Sequence, residues 1–363
     1  MKIVIAPDSF KGSASSSDIA QWIENGITSV IPDCETVKIS IGDGGEGSLD
    51  AVLSAGFAAH SVEVSGPLGN PVTAKIAIKG DTAFIEMAQA SGLSHIPGGR
   101  KDALNASSFG TGQLILAALD KGATKFILAI GGTATTDAGA GALQALGAKL
   151  LDESGNDIAP GGAALKECTS IDTSGLDSRL ARVSFTLASD VTNPLLGELG
   201  AAQVFSPQKG ATPEQVELLE RSLTHFASLV GGNYASMPGA GAAGGFGFMA
   251  YAFLNAEAQS GIDLILDLVG FDAHLSGADV VITGEGRFDS QSVRGKAPWG
   301  ILQRAGKLSI PTYLICGDAD TQQGSRFKTI FTLTSIEEDV EKCISNPAPL
   351  VTQLGAQIAQ LIK

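Results

Sequence analysis

Several short apolar runs, rich in valine and isoleucine, end abruptly in polar loops that contain glycine. They are Lys2 to Ala6, Thr36 to Ile41, Lys125 to Ile130, Val183 to Ala188, Asp279 to Ile282, Thr312 to Ile315 and Lys328 to Leu333. None alternates strictly between apolar and polar residues, which is the pattern of strands covered on both faces. Between them lie helical patterns at Asp18 to Gly26, Gly47 to Ser54, Gly110 to Leu119, Ala140 to Leu146 and Pro298 to Arg304. Strand, loop and helix repeating in this way predict a parallel, doubly wound sheet, in which ligands bind beyond the carboxyl ends of the strands.

Two stretches break the rhythm. From about Ser61 to Glu86 the pattern alternates around Gly66-Pro67, Gly69-Asn70-Pro71 and Gly80-Asp81, as in hairpins. From about Pro194 to Ser260 it is mainly helical, with a glycine-rich interlude around Gly239 to Gly247. At 363 residues the chain exceeds the size at which one core stops growing. The expected fold class is therefore α/β: a Rossmann-like doubly wound parallel sheet domain with a second α/β domain inserted. The sheet domain is expected to take residues 1–60, 100–193 and 263–363, and the insert 61–99 and 194–262. Residues 146–172 fit either.

The formal charge of −14, with no run of lysine and arginine, argues against nucleic acid or an anionic membrane as partner. It also makes each loop cation informative. Cys34, Cys168, Cys316 and Cys343 form no CxxC pair and read as reduced structural thiols, and the four histidines are too scattered for a zinc site or a Ser-His-Asp triad. The N-terminal MKIVIAPD reads as a buried strand rather than a signal peptide. No apolar run reaches the roughly 18–20 residues of a transmembrane helix. The expected location is cytoplasmic.

Five loops carry chemistry. Asp8-Ser9-Phe10-Lys11-Gly12-Ser13 sets a cation among hydroxyls at a strand's end, which suits an anionic ligand; a capped turn with a solvated lysine is the plain alternative. Gly42-Asp43-Gly44-Gly45-Glu46-Gly47 matches GxGxxG, but two carboxylates stand where a pyrophosphate would lie. Magnesium or substrate hydroxyls suit it better, or a structural tight turn. Gly239, Gly241 and Gly244 match the same pattern without a preceding strand, which reads as close helix packing or a hinge. The run from Gly131 to Gly139 joins an apolar strand to an Ala-rich helix, and its small residues let backbone amides approach a phosphate. No GxxxxGK[ST] is present. Asp190-Val191-Thr192-Asn193-Pro194 offers a carboxylate and an amide at another strand end, or an Asx-turn. The last loop, from Gly284 to Pro298, holds Arg287, Arg294 and Lys296 beside Glu285 and Asp289. Its cations suit a transferred phosphoryl group, and a surface salt-bridge cluster is the alternative.

Together these loops resemble the bacterial glycerate kinase family, of the type related to D-glycerate 2-kinase. IAPDSFKGS from Ile5, DGGEGS from Asp43, GGTATTDAGAG from Gly131, SDVTNPLLG from Ser189, TGEGRFDSQS from Thr283 and the GKAP that follows occur in the expected order through nearly the whole chain. The resemblance implies ATP-dependent phosphorylation of D-glycerate, with 2-phosphoglycerate favoured over 3-phosphoglycerate, magnesium dependence, and a two-domain fold with a Rossmann-like half. Individual roles are assigned by physical inference. Asp190 is expected to orient or deprotonate the accepting hydroxyl, with Lys11, Arg287 and Lys296 completing the catalytic set. Asp8, Ser9, Lys11, Asp43, Glu46 and Arg294 are the expected substrate-binding residues. Gly131, Gly132, Thr133, Thr135, Thr136 and Asp137 are expected at the ATP phosphates. Asp190, Asn193 and Asp289 are expected at magnesium, for which Asp43 and Glu46 are further candidates. A monomer and a homodimer both fit. A nicotinamide-dependent hydroxy-acid dehydrogenase is the competing enzyme, revealed by hydride exchange without ATP consumption. A two-lobed anion-binding protein is the competing non-enzyme, revealed by binding without turnover.

Overall fold

The structure, a computed structural model, describes residues 1–290, 292, 295–320 and 326–363. Its strands are β1 (Lys2–Pro7), β2 (Glu35–Lys38), β3 (Ala58–Ser65), β4 (Pro71–Lys79), β5 (Thr82–Glu86), β6 (Lys125–Ala129) and β7 (Lys149–Leu151). They continue with β8 (Ser170–Asp172), β9 (Ser184–Ala188), β10 (Glu257–Gln259), β11 (Val280–Phe288), β12 (Thr312–Ala319) and β13 (Thr329–Thr332). Two compact units result: Met1–Asp43, Asp50–Gly56 and Ser260–Lys363 form one, and Gly44–Leu49 with Phe57–Gln259 the other. Among the described residues no helix is long and apolar enough to cross a membrane.

The first unit holds a five-stranded parallel sheet in the order β13-β12-β11-β1-β2. Counted along the chain within the unit, this is order 2-1-3-4-5. The direction of winding reverses between β1 and β11, and the crevice at such a reversal is where doubly wound sheets bind ligands. The continuous apolar character of β1 has a direct cause. Ile3 and Ile5 pack on one face with the helices Ser16–Val30 and Pro347–Ile362. Val4 and Ala6 pack on the other with Ile262, Leu266 and Ile301. Each such aliphatic side chain, fully withdrawn from water, contributes about 1.5–3 kcal/mol.

The second unit holds a mixed six-stranded sheet in the order β10-β9-β6-β5-β4-β3. The strands β5, β6, β9 and β10 run parallel, while β3, β4 and β5 form the antiparallel meander expected from the turn signals. A separate antiparallel pair, β7 with β8, lies within residues 146–172. The second unit is thus an α/β insert in the chain of the first.

The division differs from the expected one in a specific way. Residues 100–193 belong with the insert, because β6 and β9 extend the sheet begun by β5 instead of pairing with β1. Two strands also run further than expected. Pairing of β11 with β12 continues through Arg287 with Asp318 and Phe288 with Ala319. Glu285 and Arg287 are therefore strand residues, not loop residues. In contrast, β2 is confined to Glu35–Lys38, and Ile39 and Ile41 lie beyond it, buried.

Candidate active site

In the first unit, a cavity of about 490 Å³ opens where β1 and β11 diverge. Its charged lining is Asp8, Lys11, Asp43, Glu285, Arg287, Lys296 and Asp318, and its apolar lining includes Leu333, Val340, Cys343 and Ile344. Asp8 ends up here because β1 stops at Pro7, and the Ser9 N–H donates to its carboxylate Oδ1 at 2.7 Å. Burial, and then the charge of Asp43, push the Asp8 carboxyl up to about 8. Glu285 points from β11 and is likewise raised, chiefly by burial, with Lys296 opposing the shift. Among the described residues, its Oε1 is buried without a hydrogen-bond partner.

Two of the cations stand beside carboxylates. Lys11 Nζ lies 3.5 Å from Asp43 Oδ2, and Lys296 Nζ lies 3.4 Å from Glu285 Oε2. Both separations exceed the roughly 2.8 Å of a close charge-assisted bond. Arg287 is exposed and forms no ion pair among the described residues. Of the other residues expected here, Ser9 lines the cavity, Asp289 follows β11 half-buried with its N–H on Ser292 Oγ, and Arg294 lies outside the described residues.

The second unit's glycine-rich loops are built differently. Asp137 is fully buried, and its carboxylate accepts from Ser108 N and Oγ and from the N–H groups of Gly139 and Gly141. Those N–H groups sit at the start of the helix Ala140–Ala145, the position expected to receive an ATP phosphate. Further along the loop, the N–H of Gly131 donates to Gly44 O, that of Ala134 to Ser91 O and that of Ala138 to Gly244 O. Thr133, Thr135 and Thr136 are buried, which leaves Gly131 and Gly132 as the accessible part. The start of that helix already donates to the protein's own Asp137 carboxylate. Close approach of backbones explains the glycines. A Cβ at Gly131 would stand 2.6 Å from Gly45 Cα, and one at Gly244 would stand 2.0 Å from Thr135 O. The interlude from Gly239 to Gly247 accordingly reads as close packing.

The loop at Gly44–Gly47 repeats the arrangement. Buried Glu86 accepts from Leu49 N at 2.8 Å, at the first turn of the helix Ser48–Ser54. Glu46 remains exposed. Asp190 and Asn193, half-buried, follow β9, where the Asn193 amide donates to Leu199 O at 2.8 Å. One residue that sequence reasoning missed lies under the loop: Lys209, 3% exposed, donates to Thr135 O. Burial lowers its ammonium to about 8, and Asp137 offsets part of that shift. Nothing in the surrounding Ser206-Pro207-Gln208-Lys209-Gly210 distinguishes it from a surface turn.

Among the described residues, no group of three or more histidine, cysteine, aspartate or glutamate side chains is gathered closely enough to hold a metal by itself. Magnesium does not need one. It commonly takes one or two carboxylates and completes its shell with water and substrate phosphates. The all-oxygen set of Asp8, Asp43 and Glu285, with the orphaned Glu285 Oε1, fits that mode.

Comparison with known proteins gives a consistent picture. The family model for the glycerate kinase family matches residues 3–363. A glycerate kinase from Bacillus subtilis (strain 168) is 44% identical over 100% of this chain and 98% of its own length. A glycerate 2-kinase from Escherichia coli (strain K12) is 47% identical over 89% of this chain and 87% of its own. A crystal structure from Salmonella typhimurium LT2, of a protein provisionally named glycerate kinase 2, superposes with a TM-score of 0.84 at 43% identity, covering 100% of this chain and 98% of that one.

Proposed function

The chain belongs to the glycerate kinase family, and from that premise we propose that it transfers the γ-phosphoryl group of ATP to the 2-hydroxyl of D-glycerate, with magnesium. The observation that carries the reading is the cavity at the sheet's reversal point, where cations and buried carboxylates share one end. Phosphoryl transfer asks mainly for positioning and charge stabilisation, and this end supplies both. Arg287 and Lys296 offset charge on the transferred group, and Lys11 pairs with the glycerate carboxylate. Asp8 and Glu285, with Asp43 beside them, are the oxygens offered to magnesium. A bound ion would supply charge neutralisation of the phosphate oxygens. Asp190 takes or orients the proton of the accepting hydroxyl. The choice of the 2-hydroxyl is supported by the name of the Escherichia coli relative.

The test is incubation with Mg-ATP and D-glycerate, with the product identified by phosphorus and proton NMR. The expected product is 2-phosphoglycerate. Formation of 3-phosphoglycerate would overturn the regiochemistry, and absence of glycerate-dependent ATP consumption would overturn the kinase reading for this chain.

A further inference from the structure

We propose that the nucleoside half of ATP is held at the apolar end of the first unit's cavity, against Leu333, Val340, Cys343 and Ile344; this rests on the kinase reading above. Val340, Cys343 and Ile344 stand at positions i, i+3 and i+4 of the helix Val340–Ser345 and so share one face. Cys343 is 4% exposed and roots that face in the core, while Val340 and Ile344 remain 55% and 51% exposed although they line the cavity. Leu333, 1% exposed, closes the floor. Uncovered aliphatic side chains on a cavity wall, with charged groups converging at the other end, are the pattern of a small-molecule site rather than of ordinary surface. A flat heterocycle and ribose laid across them would gain by removing that apolar surface from water.

Two further observations fix the direction of the nucleotide. Ser13 Oγ donates to Ile344 O at 2.5 Å, which ties the loop bearing Lys11 to the helix bearing the apolar face. Both ends therefore belong to one continuous wall. The charged groups of the lining are Lys11, Arg287 and Lys296 together with Asp8, Asp43, Glu285 and Asp318. The segment bearing the apolar face carries Glu337, Glu338, Asp339 and Glu341, and its Lys342 is engaged with Glu337 and Asp339. Those acids repel a polyphosphate laid along the helix and not a neutral base, while Lys11, Arg287 and Lys296 attract the polyphosphate. The cavity's volume, about 490 Å³, is within the range of roughly 300–1,000 Å³ usual for small-ligand sites.

The experiment is calorimetric titration of wild type, Val340→Asp, Ile344→Asp and Ile344→Leu with Mg-ADP and, separately, with magnesium pyrophosphate. Both positions are more than half exposed, so folding should survive, and circular dichroism checks it. Losing one aliphatic contact and adding a charge predicts an ADP Kd raised roughly tenfold or more in the two aspartate variants. Pyrophosphate affinity should change less than about threefold, and Ile344→Leu should keep ADP affinity within about threefold. Equal ADP affinity in wild type and both aspartate variants would overturn the subsite, as would a parallel loss for ADP and pyrophosphate. A separate assay of glycerate-dependent ATP consumption keeps the two readings apart. Turnover with ADP binding indifferent to these variants sinks the subsite alone. Selective loss of ADP binding in an enzyme that does not phosphorylate glycerate sinks only the choice of acceptor.

Discussion

In the first unit the strand ends place Lys11, Arg287 and Lys296 on the wall of a cavity, where Lys11 lies 3.5 Å from Asp43 and Lys296 lies 3.4 Å from Glu285. In the second unit the glycine-rich loops are occupied by the protein itself, with Glu86 on the start of one helix and Asp137 on the start of another. Both kinds of loop follow an apolar strand, and both look suited to phosphate when read as residues. The difference is in who already holds the donors. A backbone N–H that donates to a buried carboxylate is not available to a ligand unless that carboxylate leaves, and its departure would strand buried donors at about 1–3 kcal/mol each. A glycine-rich turn therefore indicates close backbone approach, and only the hydrogen-bond inventory tells whether a ligand or another part of the chain does the approaching.

Several variants break or sharpen this contrast. The largest effect is expected at Asp190, which would be an exception to the structural role of the second unit's loops. Asp190→Ala should lower kcat by roughly 10²- to 10⁴-fold, the scale of a lost proton acceptor or orienting group. A folded variant with near-normal kcat would remove it from the chemistry and leave the second unit's strand ends wholly structural. Lys11→Met should raise the KM for glycerate by roughly tenfold to a hundredfold, as for one lost charge-assisted contact. Steady-state kinetics with each substrate varied in turn would show a rise confined to ATP if Lys11 serves the nucleotide instead.

Two smaller effects concern stability in the second unit. At Gly244, φ is +68 and the Cβ position is 2.0 Å from a backbone carbonyl oxygen. Gly244→Ala should therefore lower the melting temperature by several degrees, at about 2–4 °C for each kcal/mol in a unit of this size. An unchanged melting curve would mean the loop has room that the packing denies. Lys209 gives the smallest effect and the clearest sign. Its folded pKa is lowered to about 8 from 10.5. Between those values the unfolded chain keeps a proton that the folded chain has released, so stability rises with pH through the window, by at most about 1.4 kcal/mol per unit. Below about 8 the cost of the buried charge is fully present. Urea unfolding at pH 8 and pH 10 should show that Lys209→Met lacks this rise; an identical pH dependence in both proteins would place the ammonium in solvent.

The central strands β1, β6, β11 and β12 were legible in the sequence because they are buried on both faces, which turns each into an apolar run. Their partition was not. Lys125 to Ala129 and Ser184 to Ala188 are of the same kind as Lys2 to Ala6, and nothing local records that the first pairs with β5 and the second with β6. The charged lining of the cavity was legible at Lys11, Arg287 and Lys296, since cations near strand ends stand out in a chain of net charge −14. Its apolar end was not, because Val340 and Ile344 sit among glutamates and aspartates and read as an ordinary surface helix until the cavity places them together. Lys209 was hidden for the opposite reason: a polar turn gave no sign of burial.

Hydrogen–deuterium exchange with and without Mg-ADP tests most directly where the nucleotide lies. Protection is expected in the segments Asp8–Ser13, Glu285–Phe288 and Leu333–Ile344, with the loop from Gly131 to Gly139 unchanged. That loop's buried donors should exchange slowly in both states. Protection gained across Gly131 to Gly139, with none at Leu333–Ile344, would contradict the account and return the nucleotide to the glycine-rich loop.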